Sequence, residues 1–120
     1  MELSEMQFEF TRNVGNLIHY IYVKGYSATL GEAWRPPEMA QIYAKEGKGI
    51  VDSQHCKRLA IDINLFDQNG KYLNDTKDYH WVGDFWKSLN GANRWGGDWS
   101  TATTAGHGAR SDGNHMEMIG

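Results

Sequence analysis

Cysteine is nearly absent from this chain. Cys56 stands alone among 120 residues, which excludes an intramolecular disulfide and a fold that depends on an oxidising compartment. Proline is scarce too: only Pro36 and Pro37 occur, and no Pro- or Ser-rich linker divides the chain. No apolar run approaches the ~20 residues needed to cross a bilayer, so membrane insertion is not expected. The opening Met1-Glu-Leu-Ser-Glu5 is acidic and lacks the basic and apolar regions of a signal peptide, so the expected place of synthesis is the cytoplasm. Basic excess is missing as well. Twelve Lys and Arg stand against fifteen Asp and Glu, a formal net charge of −3, which argues against nucleic acid as a partner. What remains is 40% apolar, 12% aromatic and 22% charged, the make-up of a folded chain long enough for one domain, residues 1–120, with one core.

The order of elements is legible from periodicity. Leu3, Met6, Phe10, Val14, Leu17, Ile18 and Ile21 recur at helical spacing behind an acidic first turn at Ser4-Glu5, and Gly25 ends that helix. Tyr26 to Trp34 reads as a strand broken at Gly31. Pro36-Pro37 suits the opening of a short helix over Glu38 to Lys45, because a missing N–H costs nothing in a first turn. Leu59 to Phe66 alternates, with Leu59, Ile61, Ile63 and Leu65 on one face and Ala60, Asp62, Asn64 and Phe66 on the other. Asp67-Gln-Asn-Gly70 is hairpin-turn chemistry. Thr76 to Leu89 carries a second helical stripe, Trp95-Gly-Gly-Asp-Trp99 marks close backbone approach, Thr101 to Arg110 reads as a surface loop, and His115 to Ile119 alternates as a last strand. The order predicts an α+β domain, an antiparallel sheet flanked by helices.

Two polar clusters interrupt these patterns. Ser53-Gln-His55-Cys-Lys-Arg-Leu-Ala-Ile-Asp62 sets an imidazole in a turn before a strand that bears a carboxylate. Asp112-Gly-Asn-His115-Met-Glu117 sets another imidazole where a tight turn enters a strand. His55, Asp62 and His115 together have the composition of a catalytic zinc site with three N/O ligands and a fourth position for water. A strand-end aspartate with two hydrogen-bonding histidines has the same composition. The odd offset from His55 to Asp62 would put them on opposite faces of a regular strand, so a loop at Cys56 to Arg58 must re-aim His55. Cys56 reads as a small packed side chain, and His19 and His80 as packing residues in helical stripes. His107 reads as a solvated loop residue, and Trp95 and Trp99 as core or as groove lining. Glu117 shares strand parity with His115, which suits either a hydrogen bond to that imidazole or an ordinary strand ion pair.

The pattern Ser-x-His-x-x-x-x-Ala-x-Asp over Ser53 to Asp62, followed late by Asp-x-x-His-x-Glu over Asp112 to Glu117, resembles the D-alanyl-D-alanine carboxypeptidase family of zinc peptidases. Within it the chain looks most like the small phage endolysins with L-alanyl-D-glutamate peptidase activity, over about residues 27–118. The resemblance implies a hedgehog- and DD-peptidase-like fold and one zinc ion on His55, Asp62 and His115. It also implies Asp112 as general base and Arg35 as substrate contact, with Ser53 and Glu117 as supporting or substrate-contacting candidates. For Arg35 an ion pair with Glu32 or Glu38 is the plain alternative. Where Arg58 stands the family often has glycine, and the expectation is a slightly different loop here. The implied activity is that of a bacteriolytic endolysin, hydrolysing peptidoglycan stem peptides as a monomer. Such an enzyme is held in the host cytoplasm until a separate holin-like pore admits it to the wall. A carboxypeptidase or dipeptidase on the same zinc site, or a non-catalytic wall-binding module on the same fold, are the other functions this resemblance allows.

Overall fold

The computed structural model describes residues 2–47, 53–99 and 112–120. The anticipated loop at Thr101 to Arg110, His107 included, lies outside them. Helix α1 spans Leu3–Val23 and buries Phe10, Leu17 and Ile21, three members of the apolar stripe, together with Asn13. Its exit is a left-handed glycine: Gly25 has φ 86°, and the Tyr26 N–H donates back to the Ile21 carbonyl, closing the last turn. Strand β1 (Ser27–Leu30) is shorter than the sequence suggests, since regular pairing stops before Gly31. Helix α2 (Pro37–Lys45) opens with Pro37 in its first turn.

Strand β2 (Ala60–Phe66) is the spine of a five-stranded antiparallel sheet ordered β1-β2-β5-β4. Strand β3 (Tyr72–Leu73) pairs with Leu65 and Phe66 at the far end of β2. The turn between them is held by Asp67, whose Oδ1 accepts from the N–H groups of Asn69 and Lys71 at 2.9 Å each, while Gly70 supplies the φ of 79°. The expected helix over Thr76 to Leu89 is a single 3-10 turn, Thr76–Tyr79, followed by α3 at His80–Leu89. Tyr79 is tied down at this junction. Its hydroxyl accepts from Leu65 N–H at 2.9 Å and donates to the Leu73 carbonyl at 2.6 Å. Burial pushes the Tyr79 phenol up to about 12, the backbone bond from Leu65 only partly opposing it.

Strand β4 (Asn93–Trp95) has no counterpart in the sequence reading. Three residues between Gly91 and Gly96 carry too little alternation to announce a strand, yet they pair with β5 (His115–Met118). One face of the sheet carries Ile61, Ile63, Leu65, Met116 and Met118 against Phe10, Leu17 and Ile21 of α1 and Val82 and Trp86 of α3. Trp86 is fully buried and donates its Nε1–H to the carbonyls of both Arg94 and Glu117 at 3.0 Å, fastening α3 across β4 and β5. The other face carries Asp62, Asn64, His115 and Glu117. The alternation in β2 thus puts its aliphatic side into the core and its polar side opposite, as expected.

Candidate metal centre

The site is assembled by strand register. β2 and β5 pair so that Asp62 lies directly opposite His115 and Ala60 opposite Glu117, on the face away from the core. His55 reaches the same point from a 3-10 turn, Gln54–Lys57, which the Ser53 hydroxyl caps by accepting from the His55 N–H at 3.2 Å. That turn answers the parity problem of the odd offset. It leaves through Arg58 at φ 59°, ψ 35°, a left-handed conformation that glycine favours. The loop therefore takes at Arg58 a backbone geometry that glycine would adopt without strain. Arg58 bears the cost of that conformation, and its guanidinium lies over the Trp34 ring, 4.9 Å from the centroid, a contact that offsets part of it.

One ligand atom from each of His55, Asp62 and His115 lies within 4.8 Å of the others. Asp62 Oδ1 is 3.5 Å from His55 Nε2 and 3.2 Å from His115 Nδ1. Those separations lie at the long end of hydrogen bonding, and they are close to the edge of a tetrahedron with bonds of about 2.0–2.1 Å, which is about 3.3–3.4 Å. Two imidazole nitrogens and a carboxylate oxygen are also the donor chemistry that zinc takes. The residues fit a divalent ion.

Each histidine has its second nitrogen turned toward a carboxylate. His115 Nε2 is 2.7 Å from Glu117 Oε1, and both side chains are buried. His55 Nδ1 is 3.6 Å from Glu32 Oε1. Without an ion, burial pushes the Asp62 carboxyl up, but hydrogen bonds and charge from His115 and His55 outweigh it and bring it down to about 2. Burial pushes the His115 imidazole down, and its bonds to Asp62 and Glu117 overcome this and raise it to about 9. A proton on His115 thus does part of what a cation would do there.

Arg35 donates to Glu32 Oε1, so the ion-pair alternative for Arg35 holds for one of its donors. Its buried Nε finds no hydrogen-bond partner among the described residues, and the guanidinium lies 5.0 Å from the centroid of the Tyr43 ring. Asp112 sits where the chain returns to β5. Its N–H donates to Gly96 O at 3.0 Å and its carbonyl accepts from His115 N–H at 3.2 Å. It also lines an open cavity of about 250 Å³ with Tyr72, Asn74, Thr76, Tyr79, Gly113 and Asn114. The Trp95 to Trp99 segment makes the close approach foreseen: a Cβ on Gly96 would stand 2.2 Å from Asp112 O and 2.9 Å from His115 Cβ. Trp95 is buried and donates to Gly113 O, whereas the Trp99 ring lies 4.9 Å from that of His115, at the site.

His19 is exposed, against the packing role expected of it, whereas His80, paired with Asp84 at 3.2 Å on its exposed side, packs edge-on against Trp95 with ring centroids 5.6 Å apart, as expected. Cys56 is half-buried beside His55. In the sequence Glu32 stands out only as a possible partner of Arg35. Its i, i+3 spacing to that arginine was the available signal, and nothing in the sequence ties it to His55.

The model of the D-alanyl-D-alanine carboxypeptidase family matches residues 45–118, more than half of the chain. The chain belongs to that family. As a D-alanyl-D-alanine carboxypeptidase family member it is a peptidase, and peptidoglycan is the substrate class of the family's named activity. Peptidases of this family are zinc-dependent, and the His55, Asp62 and His115 group supplies a place for such an ion. Among solved structures the chain is similar to the L-Ala D-Glu endopeptidase ChiX of Serratia marcescens. The TM-score is 0.61 and the identity 18%, over 78% of this chain and 67% of that one, a likeness of fold. No curated protein matches the chain.

Proposed function

We propose that this family member is a zinc-dependent peptidoglycan endopeptidase that hydrolyses the L-alanyl-D-glutamate bond of the stem peptide, in the manner of a phage endolysin. One observation carries the metal part of the reading: Asp62 and His115 face each other across β2 and β5, and His55 is turned in to tetrahedral-edge distance. The choice of bond is supported by the fold shared with ChiX, an L-Ala D-Glu endopeptidase.

When bound, zinc supplies a Lewis acid for the scissile carbonyl and lowers the pKa of a coordinated water. Asp112 is the base that takes the proton from the attacking water and returns it to the leaving amine as the C–N bond breaks. Its backbone is bonded to both Gly96 and His115, which holds it one tight turn from a ligand. Arg35, fixed by Glu32, turns its remaining N–H groups to a substrate carboxylate or to the developing oxyanion. Ser53 holds the turn that aims His55, and Glu117 holds the His115 ring.

The test is Asp112→Asn. Zinc content should stay stoichiometric while hydrolysis of purified walls falls by about 10²–10⁴-fold, the range for loss of a general base. A near-normal rate removes Asp112 from the reaction, and a wild-type chain that binds walls without cutting them sinks the enzymatic reading. The family's own description favours one second reading, removal of a terminal D-alanine by the same site. Mass spectrometry of digested muropeptides separates the two: a free D-alanine product contradicts the endopeptidase.

A further inference from the structure

His115 has a buried carboxylate on its second nitrogen, and by that standard His55 has been left with a loose end. Its Nδ1 is buried with no hydrogen-bond partner among the described residues, in a side chain only 3% exposed. A carboxylate oxygen, Glu32 Oε1, lies 3.6 Å away, just beyond bonding distance. Glu32 is not there by accident of surface packing. After β1 ends, the chain stays stitched to both ligand segments. Gly31 N–H donates to Asp62 O at 2.7 Å, Asp62 N–H to Glu32 O at 3.0 Å, and Arg35 N–H to His55 O at 3.2 Å. Gly31 allows this approach, because a Cβ there would already press on Asp62 Cβ at 3.0 Å. The backbone thus pins Glu32 between two metal ligands, and Arg35 holds the same oxygen that faces His55.

We propose that Glu32 is the positioning residue of the metal centre on the His55 side: it accepts the Nδ1–H of His55, commits Nε2 to the ion, and ties that ligand to Arg35. The inference rests on the metal site proposed above. A metal-ligating imidazole whose other N–H is held by a carboxylate keeps one tautomer and one ring orientation, and it becomes a more basic ligand. One oxygen shared between a ligand imidazole and a guanidinium also sets the distance from the ion to Arg35. Glu32 therefore acts on substrate only through its two neighbours.

The experiment measures zinc affinity of the full chain by competition with a chromophoric chelator, alongside thermal melting of each metal-free variant. Wild type should bind one zinc. Glu32→Ala should bind it about 10–100-fold more weakly, the usual effect of losing such a partner. Glu32→Gln, whose amide oxygen still accepts from Nδ1, should recover part of the loss, and Glu38→Ala, in the first turn of α2, should bind as wild type. A folded Glu32→Ala with wild-type affinity overturns the proposal. So does a folded Glu32→Gln as weak as the alanine variant, since the effect then belongs to charge alone. A wild type that binds no zinc overturns the metal centre itself, a distinguishable failure. A second measurement needs no variant: long-range ¹H–¹⁵N correlation on the zinc-loaded wild type should place the His55 proton on Nδ1. A proton on Nε2, with the ion on Nδ1, overturns it.

Discussion

A single methyl group at Gly96 should disturb the site more than many larger changes elsewhere. The Cβ of Gly96→Ala would stand 2.2 Å from Asp112 O and 2.9 Å from His115 Cβ, and the first of these is backbone with no flexible end to yield. To restore van der Waals contact the two segments must part by about 1 Å, a change of the overpacking kind that costs about 1–3 kcal/mol. The movement also opens the Asp112 N–H to Gly96 O bond, now 3.0 Å, worth about 0.5–1.5 kcal/mol more. The sum is about 1.5–4.5 kcal/mol, which for a chain of this size lowers the melting temperature by about 10 °C at the middle of that range. On the proposed mechanism activity should suffer further, because Asp112 and His115 both move, and a displacement of about 1 Å in a catalytic group costs about 10²-fold in rate. Differential scanning calorimetry and a wall-clearing assay read the two effects. Gly91→Ala is the control, since a Cβ there meets nothing within 4 Å. A Gly96→Ala chain that melts with the wild type and clears walls at its rate would refute the claim that β4 and the Asp112 turn are locked together through this residue.

The remaining expectations concern Arg58 and His115. At the left-handed position of residue 58, Arg58→Gly should be more stable than Arg58→Ala by about 1 kcal/mol, because only glycine escapes the Cβ penalty while both lose the Trp34 contact. Urea midpoints decide it, and an alanine variant equal to or above the glycine one contradicts the assignment. The raised pKa of His115 has a definite sign. Its contribution to the metal-free protein is complete below 6.5 and is lost as pH rises through about 9, an upper bound of roughly 3 kcal/mol by linkage. Chelator-treated protein should therefore lose stability to urea between pH 6.5 and 9.5, a loss absent from His115→Gln and from zinc-loaded wild type. An unchanged difference in His115→Gln would place the effect elsewhere. Asp62 runs the other way, its contribution present above 3.8 and lost only as pH falls through about 2.

Local chemistry wrote much of this protein into its sequence. The stripe of α1, the prolines before α2, the Asp67 to Gly70 turn and the alternation of β2 each follow from a short-range rule. A period of 3.6, a fixed φ, an Asx-type turn and a period of 2 can all be read without knowing what lies opposite. The three ligand candidates were legible too, as residue types in two motifs. Register was not, because it depends on pairing between strands far apart in the chain. Only the β2–β5 ladder puts Asp62 across from His115, and only the left-handed Arg58 turns His55 toward them. Strand β4 was invisible for the same reason, being three residues long and defined by its partner rather than by its own pattern. Glu32 was the hardest to see. Its place beside His55 comes from three backbone hydrogen bonds between segments twenty and thirty residues apart, and a sequence carries no mark of a bond that side chains do not make.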